Sequence, residues 1–318
     1  MSTFDGYSRR KYSRWGVRAV RHGVATTAVV VAVCAGVVGV SVVSYGSATA
    51  ELAPLSARAH GTISGVSGDT VTVTWRLPGG RQATAQVTLA TDPPALHART
   101  EVAYDPADPT GAIVPGADVL AYADRAQSGI TFGCLVALIV LLTSTWLLVS
   151  RTSLRRREPR PFRVRRVRIQ RGLITRSWLE TENEPRRWLP VYFEPELITL
   201  PAPCTVLLYG DPRGDRLVAA EVNGARLYPS GRVTGSEPRG RRGDNPTDPD
   251  AFSDEQAVLA ARLRRQFRVD AALLIPAPLV GLFWAFLDGS GFSGWLAATV
   301  ITAALGLWWA AIRGSDPS

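Results

Sequence analysis

The amino-acid sequence predicts a membrane α+β protein: four transmembrane helices, one small antiparallel β domain on the extracytoplasmic side and a second on the cytoplasmic side. Three observations predict it. Four runs have the length and apolarity of a bilayer span. Basic residues crowd one side of those runs. The stretches between them alternate apolar and polar residues with the period of a strand. At 318 residues, 46% apolar and 20% charged, the chain is neither a disordered polymer nor a small disulfide scaffold.

Residues 1–22 form a basic amino-terminal segment in which Arg9, Arg10, Lys11, Arg14, Arg18 and Arg21 face Asp5 alone. The first span covers 23–43, about 31 Å of helix against a hydrocarbon core of about 30 Å. Ala28, Ala32 and Gly36 recur every fourth residue and form a small-residue stripe that either admits a neighbouring helix or arises from composition alone. Ser8–Arg14 (SRRKYSR) has the form of a twin-arginine export signal, and Ala48–Ala50 that of a cleavage site. The apolar run is longer than the 7–15 residues usual in a signal peptide, so retention as a span is favoured over cleavage after Ala50.

Residues 44–128 form the extracytoplasmic domain. Thr70–Leu77 (TVTVTWRL) alternates strictly, Pro78-Gly79-Gly80 turns, and Arg81–Leu89 alternates again. With short strands near 60–64, 100–104 and 112–114, five strands predict a small antiparallel sheet or a partly closed barrel. Pro106 and Pro109 bias Asp105 and Asp108 toward extended or turn geometry, and Tyr104 caps the small core. A calcium site on Asp105 and Asp108 falls short of the six to eight oxygens such an ion takes. The segment 102–115 (VAYDPADPTGAIVP) resembles the end of a widespread bacterial membrane-associated domain of unknown function. The resemblance covers about 60 residues and rests on Tyr104-Asp105-Pro106 followed by Asp108-Pro109 and a short apolar strand. It implies an architecture, a small extracytoplasmic β unit with flanking spans, and no activity. Near-exclusive use of arginine over lysine fits a GC-rich, actinobacterial-type genome.

The second span, 129–149, carries no charge and has Trp146 near one interface. Ten arginines follow within 151–171, against Glu158. Basic residues flanking spans stay cytoplasmic, so both termini and residues 150–234 are expected inside and 44–128 outside, in a plasma-membrane protein. The tract that includes Arg155, Arg156, Arg157, Arg160, Arg163, Arg165, Arg166, Arg168 and Arg171 is read as a topology anchor plus a strand with an arginine-rich solvated face. It is expected to contact anionic lipid head groups, and nucleic acid is not an expected partner. Strands near 176–181, 187–193, 204–210, 216–222 and 225–233 complete a cytoplasmic β domain. Its order of hairpin, proline-containing connector and strand ending in tyrosine (Tyr209, as Tyr104 before) leaves two explanations open, related copies or convergent turn chemistry.

Residues 235–253 are proline- and charge-rich and read as a flexible linker. Ser253 with Gln256 forms a capping box for a juxtamembrane helix, 254–269. Spans three (270–288) and four (292–312) make a hairpin, with a kink near Ile275 caused by Pro276 and Pro278, and 313–318 is a cytoplasmic tail. Cys34, Cys134 and Cys204 stand at no disulfide or metal spacing, His22, His60 and His97 are isolated, and catalytic signatures are missing. No metal or cofactor is expected. These features predict a non-catalytic scaffold, sensor or accessory subunit working through its two β domains, with an unidentified membrane partner or self-association. The rival reading is a transporter or channel subunit with the kinked third span lining a path.

Overall fold

Long apolar runs satisfy their own backbone in helices, and alternating runs need a sheet to pair with. The chain resolves along that division. The computed structural model describes residues 18–245 and 262–318, in two units: residues 34–136, and the chain up to Val33 together with 137–318. Four helical segments are long and apolar enough to cross a membrane. They are α1 (Arg18–Leu52), α2 (Asp118–Thr152), a composite segment over Arg264–Asp288, and α5 (Gly291–Arg313). Their large apolar side chains turn outward, as at Leu142, Trp146, Leu279 and Phe286. Two antiparallel sheets complete the α+β fold.

In the first unit, β1 (Ala57–Ser67), β2 (Thr70–Arg76), β3 (Gln82–Thr88), β4 (Arg99–Tyr104) and β5 (Ala112–Ile113) pair in the order β3-β2-β1-β4-β5. The alternation in 70–77 becomes a buried face of Val71, Val73 and Trp75, which packs on Ile63, Val87, Val102 and Tyr104. Beyond β3, Leu89 bridges Ala117 beyond β5, so the sheet curls until its edges meet. Gly129 and Gly133 of α2 face α1. A Cβ on Gly129 would lie 2.5 Å from Ser41 Oγ, and one on Gly133 would lie 2.7 Å from Val38 Cγ2. This G-x-x-x-G spacing is the close helix contact, whereas a Cβ on Gly36, in the expected small-residue stripe, meets nothing within 4 Å.

The second sheet comprises β6 (Pro159–Arg171), β7 (Ile174–Thr181), β8 (Trp188–Val191), β9 (Cys204–Tyr209), β10 (Ala219–Val222) and β11 (Ala225–Leu227), in the order β11-β10-β9-β6-β7-β8. The expectation for β6 needs correction in its middle: it is the longest strand among the described residues, central, and covered on both faces over Val164–Ile169. Val164 joins the main core with Leu179, Leu189 and Leu208, while Val167 and Ile169 pack on Trp178 and Trp188. A strand covered on both sides shows no clean alternation, and Arg166, read as solvated, is 1% exposed. The expected linker also needs correction. Arg241–Asp244 is a strand, β12, paired with β6 through Gly243↔Arg168 and Asp244↔Val167. Arg242 anchors it to Glu180, Glu237 and Asp244. Of that expected linker, residues 246–253 lie outside the described residues, as does the Ser253–Gln256 capping box.

The two sheets share strand order. In each, the first strand is central, the second and third form a hairpin on one side, and the fourth and fifth lie on the other. Each opening hairpin turns at a glycine with positive φ, Gly68 (60°) and Gly172 (61°). Each fourth strand ends in a tyrosine opposite the first residue of the first strand, Tyr104↔Ala57 and Tyr209↔Pro159. In each, residues beyond the last strand of the main order bridge back to the third strand or just beyond it (Leu89↔Ala117; Trp188↔Thr234 and Val191↔Pro229). A 35-residue helix precedes both sheets. A shared strand order with a shared tyrosine register is the arrangement a duplication produces.

The carboxy-terminal helices begin with α3 (Leu263–Asp270), pass through a 3-10 turn at Ala271–Leu274, and resume as α4 (Ala277–Asp288). The interruption falls at Ile275–Pro276, where neither Pro276 nor Pro278 has an N–H to donate, and regular bonding restarts with Val280 N–H to the Pro276 carbonyl at 3.0 Å. α4 and α5 form a hairpin in which Gly281 is pressed against the Trp295 carbonyl, 2.8 Å from where a Cβ would stand.

Candidate functional site

The arginine tract divides into separate roles. Arg156, Arg160, Arg163 and Arg171 are exposed. Arg155 lies in the 3-10 turn Ser153–Arg156. Arg157 pairs with Asp215 at 2.6 Å and Arg165 with Glu182 at 2.9 Å. Arg166 and Arg168 instead turn to the segment after α5. The Tyr104 motif is a pair of turns. Asp105 Oδ1 accepts the Ala107 N–H at 2.8 Å, and Asp108 Oδ1 accepts the N–H and hydroxyl of Thr110 at 3.1 and 2.6 Å. The Thr110 hydroxyl holds the Asp108 carboxyl below the usual range. Tyr104 is buried, its ring 5.7 Å from that of Trp75.

Arg166 organises a buried polar junction. Its Nη2 donates to Asp316 Oδ2 at 2.8 Å, and its Nη1 donates to the Leu197 carbonyl at 2.9 Å. The Ser177 hydroxyl donates to the same Asp316 oxygen at 2.6 Å. The Asp316 N–H donates to the Thr175 carbonyl, and Arg168 Nη1 to the Ser318 carbonyl. Residues 314–318 thereby lie along β7. Burial works to raise the Asp316 carboxyl, but Arg166 and the hydroxyls of Ser177 and Ser318 outweigh it and hold it below the usual range. Burial lowers Arg166, with Asp316 opposing. Asn245 closes the base, its amide donating to the carbonyls of Leu197 and Leu200.

A second cluster adjoins it. Gln266 of α3 donates to Asp270 and to Ser315 Oγ, the latter at 2.6 Å. His22 Nε2 of α1 stands 3.3 Å from Asp270 Oδ2. The Arg18 guanidinium lies 4.9 Å over the Phe193 ring. The Ala19 N–H points to Glu194 Oε1 at 3.4 Å. Glu194 is 2% exposed and its Oε2 has no hydrogen-bond partner among the described residues. Burial, then the nearby Glu196, pushes its carboxyl up to about 8, so it holds a proton at neutral pH. Glu196 is likewise raised, chiefly by burial. The junction thus joins α1, α3, the β8–β9 connector and the segment after α5. No group of three metal-ligating side chains occurs among the described residues.

Beside it, α1, α2 and α5 line an apolar cleft of about 380 Å³, walled by residues such as Val20, Val24, Leu141 and Leu148, with Arg151 and Tyr192 also in its lining. Ser144 holds the three helices together. Its hydroxyl lies 2.9 Å from that of Thr27, and it accepts the Trp308 indole N–H at 2.9 Å. Sequence reading missed both the junction and the cleft. Arg166 and Asp316 are too far apart in the chain for any local spacing to connect them, although an Asp flanked by Ser315 and Ser318 directly after an apolar run was visible. Comparisons with family models, with curated proteins and with solved structures find no match to this chain.

Proposed function

We propose that the chain is a non-catalytic multi-pass protein of the plasma membrane that serves as a scaffold, sensor or accessory subunit. Both termini and the second sheet lie in the cytoplasm, and the first sheet lies outside. The arginine tract after α2 supports that orientation, as does the basic segment before α1. One long helix separates the two sheets, so a crossing by α2 puts them on opposite sides. The observation that carries the functional reading is the Arg166–Asp316–Ser177 junction. It fastens the second sheet to the helical bundle through buried, charge-assisted bonds, so the two present one surface to a partner. The partner is a membrane protein or a second copy of the chain. The resemblance of 102–115 to an extracytoplasmic β domain adds an architecture to this reading and no reaction.

Cross-linking in native membranes, followed by purification of the full chain, tests it. A partner, or a second copy, should be captured in fixed stoichiometry and lost when Arg166→Leu is introduced, with the spans still inserted. Capture unaffected by Arg166→Leu would remove the junction from the account. Solute or ion flux through proteoliposomes containing the purified chain would overturn the scaffold reading in favour of transport.

A further inference from the structure

Three arginines cluster without a carboxylate, Arg151 lining the α1–α2–α5 cleft and Arg176 and Arg313 standing beside Arg151. Arg151 Nη2 and Arg176 Nη2 both donate to the Ser230 carbonyl, at 3.5 and 3.3 Å. Arg176 also reaches the Ser230 hydroxyl at 3.0 Å. Arg151 is stacked 4.8 Å over Tyr192, and the Tyr192 hydroxyl donates to the Ile312 carbonyl at the end of α5. Arg313 stands one residue further along, over Trp309. Among the described residues none of the three forms an ion pair, although ten other pairs occur. Burial, and after it the charges of Arg313 and Arg151, lower Arg176 to about 10. Arg176 Nε is buried and without a hydrogen-bond partner among the described residues. Clustered, partly desolvated guanidinium groups with unfilled donors are built for an oxyanion.

The apolar half of the site has matching dimensions. From Arg151 to Leu141 the cleft follows α2 for about 15 Å, half of a hydrocarbon core of about 30 Å. Its volume falls in the range of small-molecule pockets, roughly 300–1,000 Å³. Charge at one end and a single-leaflet apolar slot behind it define one kind of occupant.

We propose that this cleft binds one anionic diacyl phospholipid, its phosphate held by Arg151, Arg176 and Arg313 and one acyl chain laid between α1 and α2. The proposal rests on the membrane reading above, but its test does not depend on which way the chain crosses. These arginines differ from the exposed ones of β6, which meet the membrane surface only as a diffuse charge. Here the contact is a stoichiometric site, and the bound lipid fills the space between the bundle and the second sheet.

The test uses the full chain in nanodiscs of phosphatidylcholine with one-tenth phosphatidylglycerol, and counts lipids retained after transfer to mild detergent by native mass spectrometry. One phosphatidylglycerol per chain is expected. Arg151→Gln and Arg176→Gln should each weaken its retention roughly fivefold and leave phosphatidylcholine unchanged. Gly23→Leu provides the control for misfolding. Gly23 lines the cleft, a Cβ there meets nothing within 4 Å, and leucine is the better helix former. This variant should melt no lower than the parent and still lose the lipid. Millimolar glycerol 3-phosphate should not displace it. Equal displacement by the free phosphate would overturn the lipid assignment, and retention unchanged in all three variants would overturn the site.

Discussion

Arg166 and Asp316 are both almost wholly enclosed, and each is tolerable only because of the other. Arg166→Leu should destabilise the fold by about 3–5 kcal/mol, because Asp316 is then a buried charge without its cation. Arg166→Leu combined with Asp316→Leu should recover most of that loss, and a double-mutant cycle of melting in detergent measures the difference. Glu194 behaves in the opposite sense with pH. In the unfolded chain a glutamate loses its proton near 4.5, whereas in the fold Glu194 keeps it to about 8. The folded state therefore binds more protons across that window, and the stability this group contributes declines as pH rises through it. Glu194→Gln, which keeps the neutral form permanently, should flatten the decline and raise the melting temperature above pH 8, with little change near pH 5. None of this was legible locally. The arginine tract announces charge, but only the fold decides that Arg165 meets Glu182, that Arg166 meets Asp316 and that Arg160 meets solvent.

At the scale of elements, the sequence was most informative where a pattern has one face. The alternation of 70–77 gave β2 and its buried side because the opposite face is polar. β6 resisted the same reading because both faces are covered over Val164–Ile169, and β12 was hidden in a polar segment whose strand is held by ion pairs around Arg242 rather than by apolar packing. The four long apolar helices were legible from length and composition, but their contacts were not. The expected stripe ending at Gly36 faces open space, while Gly129 and Gly133 carry the close approach of α1 and α2. Gly133→Leu should accordingly cost about 1–3 kcal/mol in thermal melts, from overpacking against Val38, whereas Gly36→Leu should be neutral or slightly stabilising. Equal effects at the two positions would contradict the helix register described.

For the whole molecule, the shared strand order, the glycine turns and the tyrosine register describe a helix-plus-sheet unit used twice, followed by a helical hairpin whose trailing residues lock onto the second sheet. The proposed sidedness, with one sheet outside and one inside, is the claim that a single measurement can reach. The arginine asymmetry supplies the direction. Single cysteines offer the most direct measurement, introduced at exposed turn positions of each sheet as Arg81→Cys and Leu173→Cys and probed on intact cells with a membrane-impermeant maleimide. Labelling at 81 in intact cells, and at 173 only after lysis, is the outcome required by two sheets in different aqueous phases. The same accessibility at both positions, before and after lysis, would contradict it.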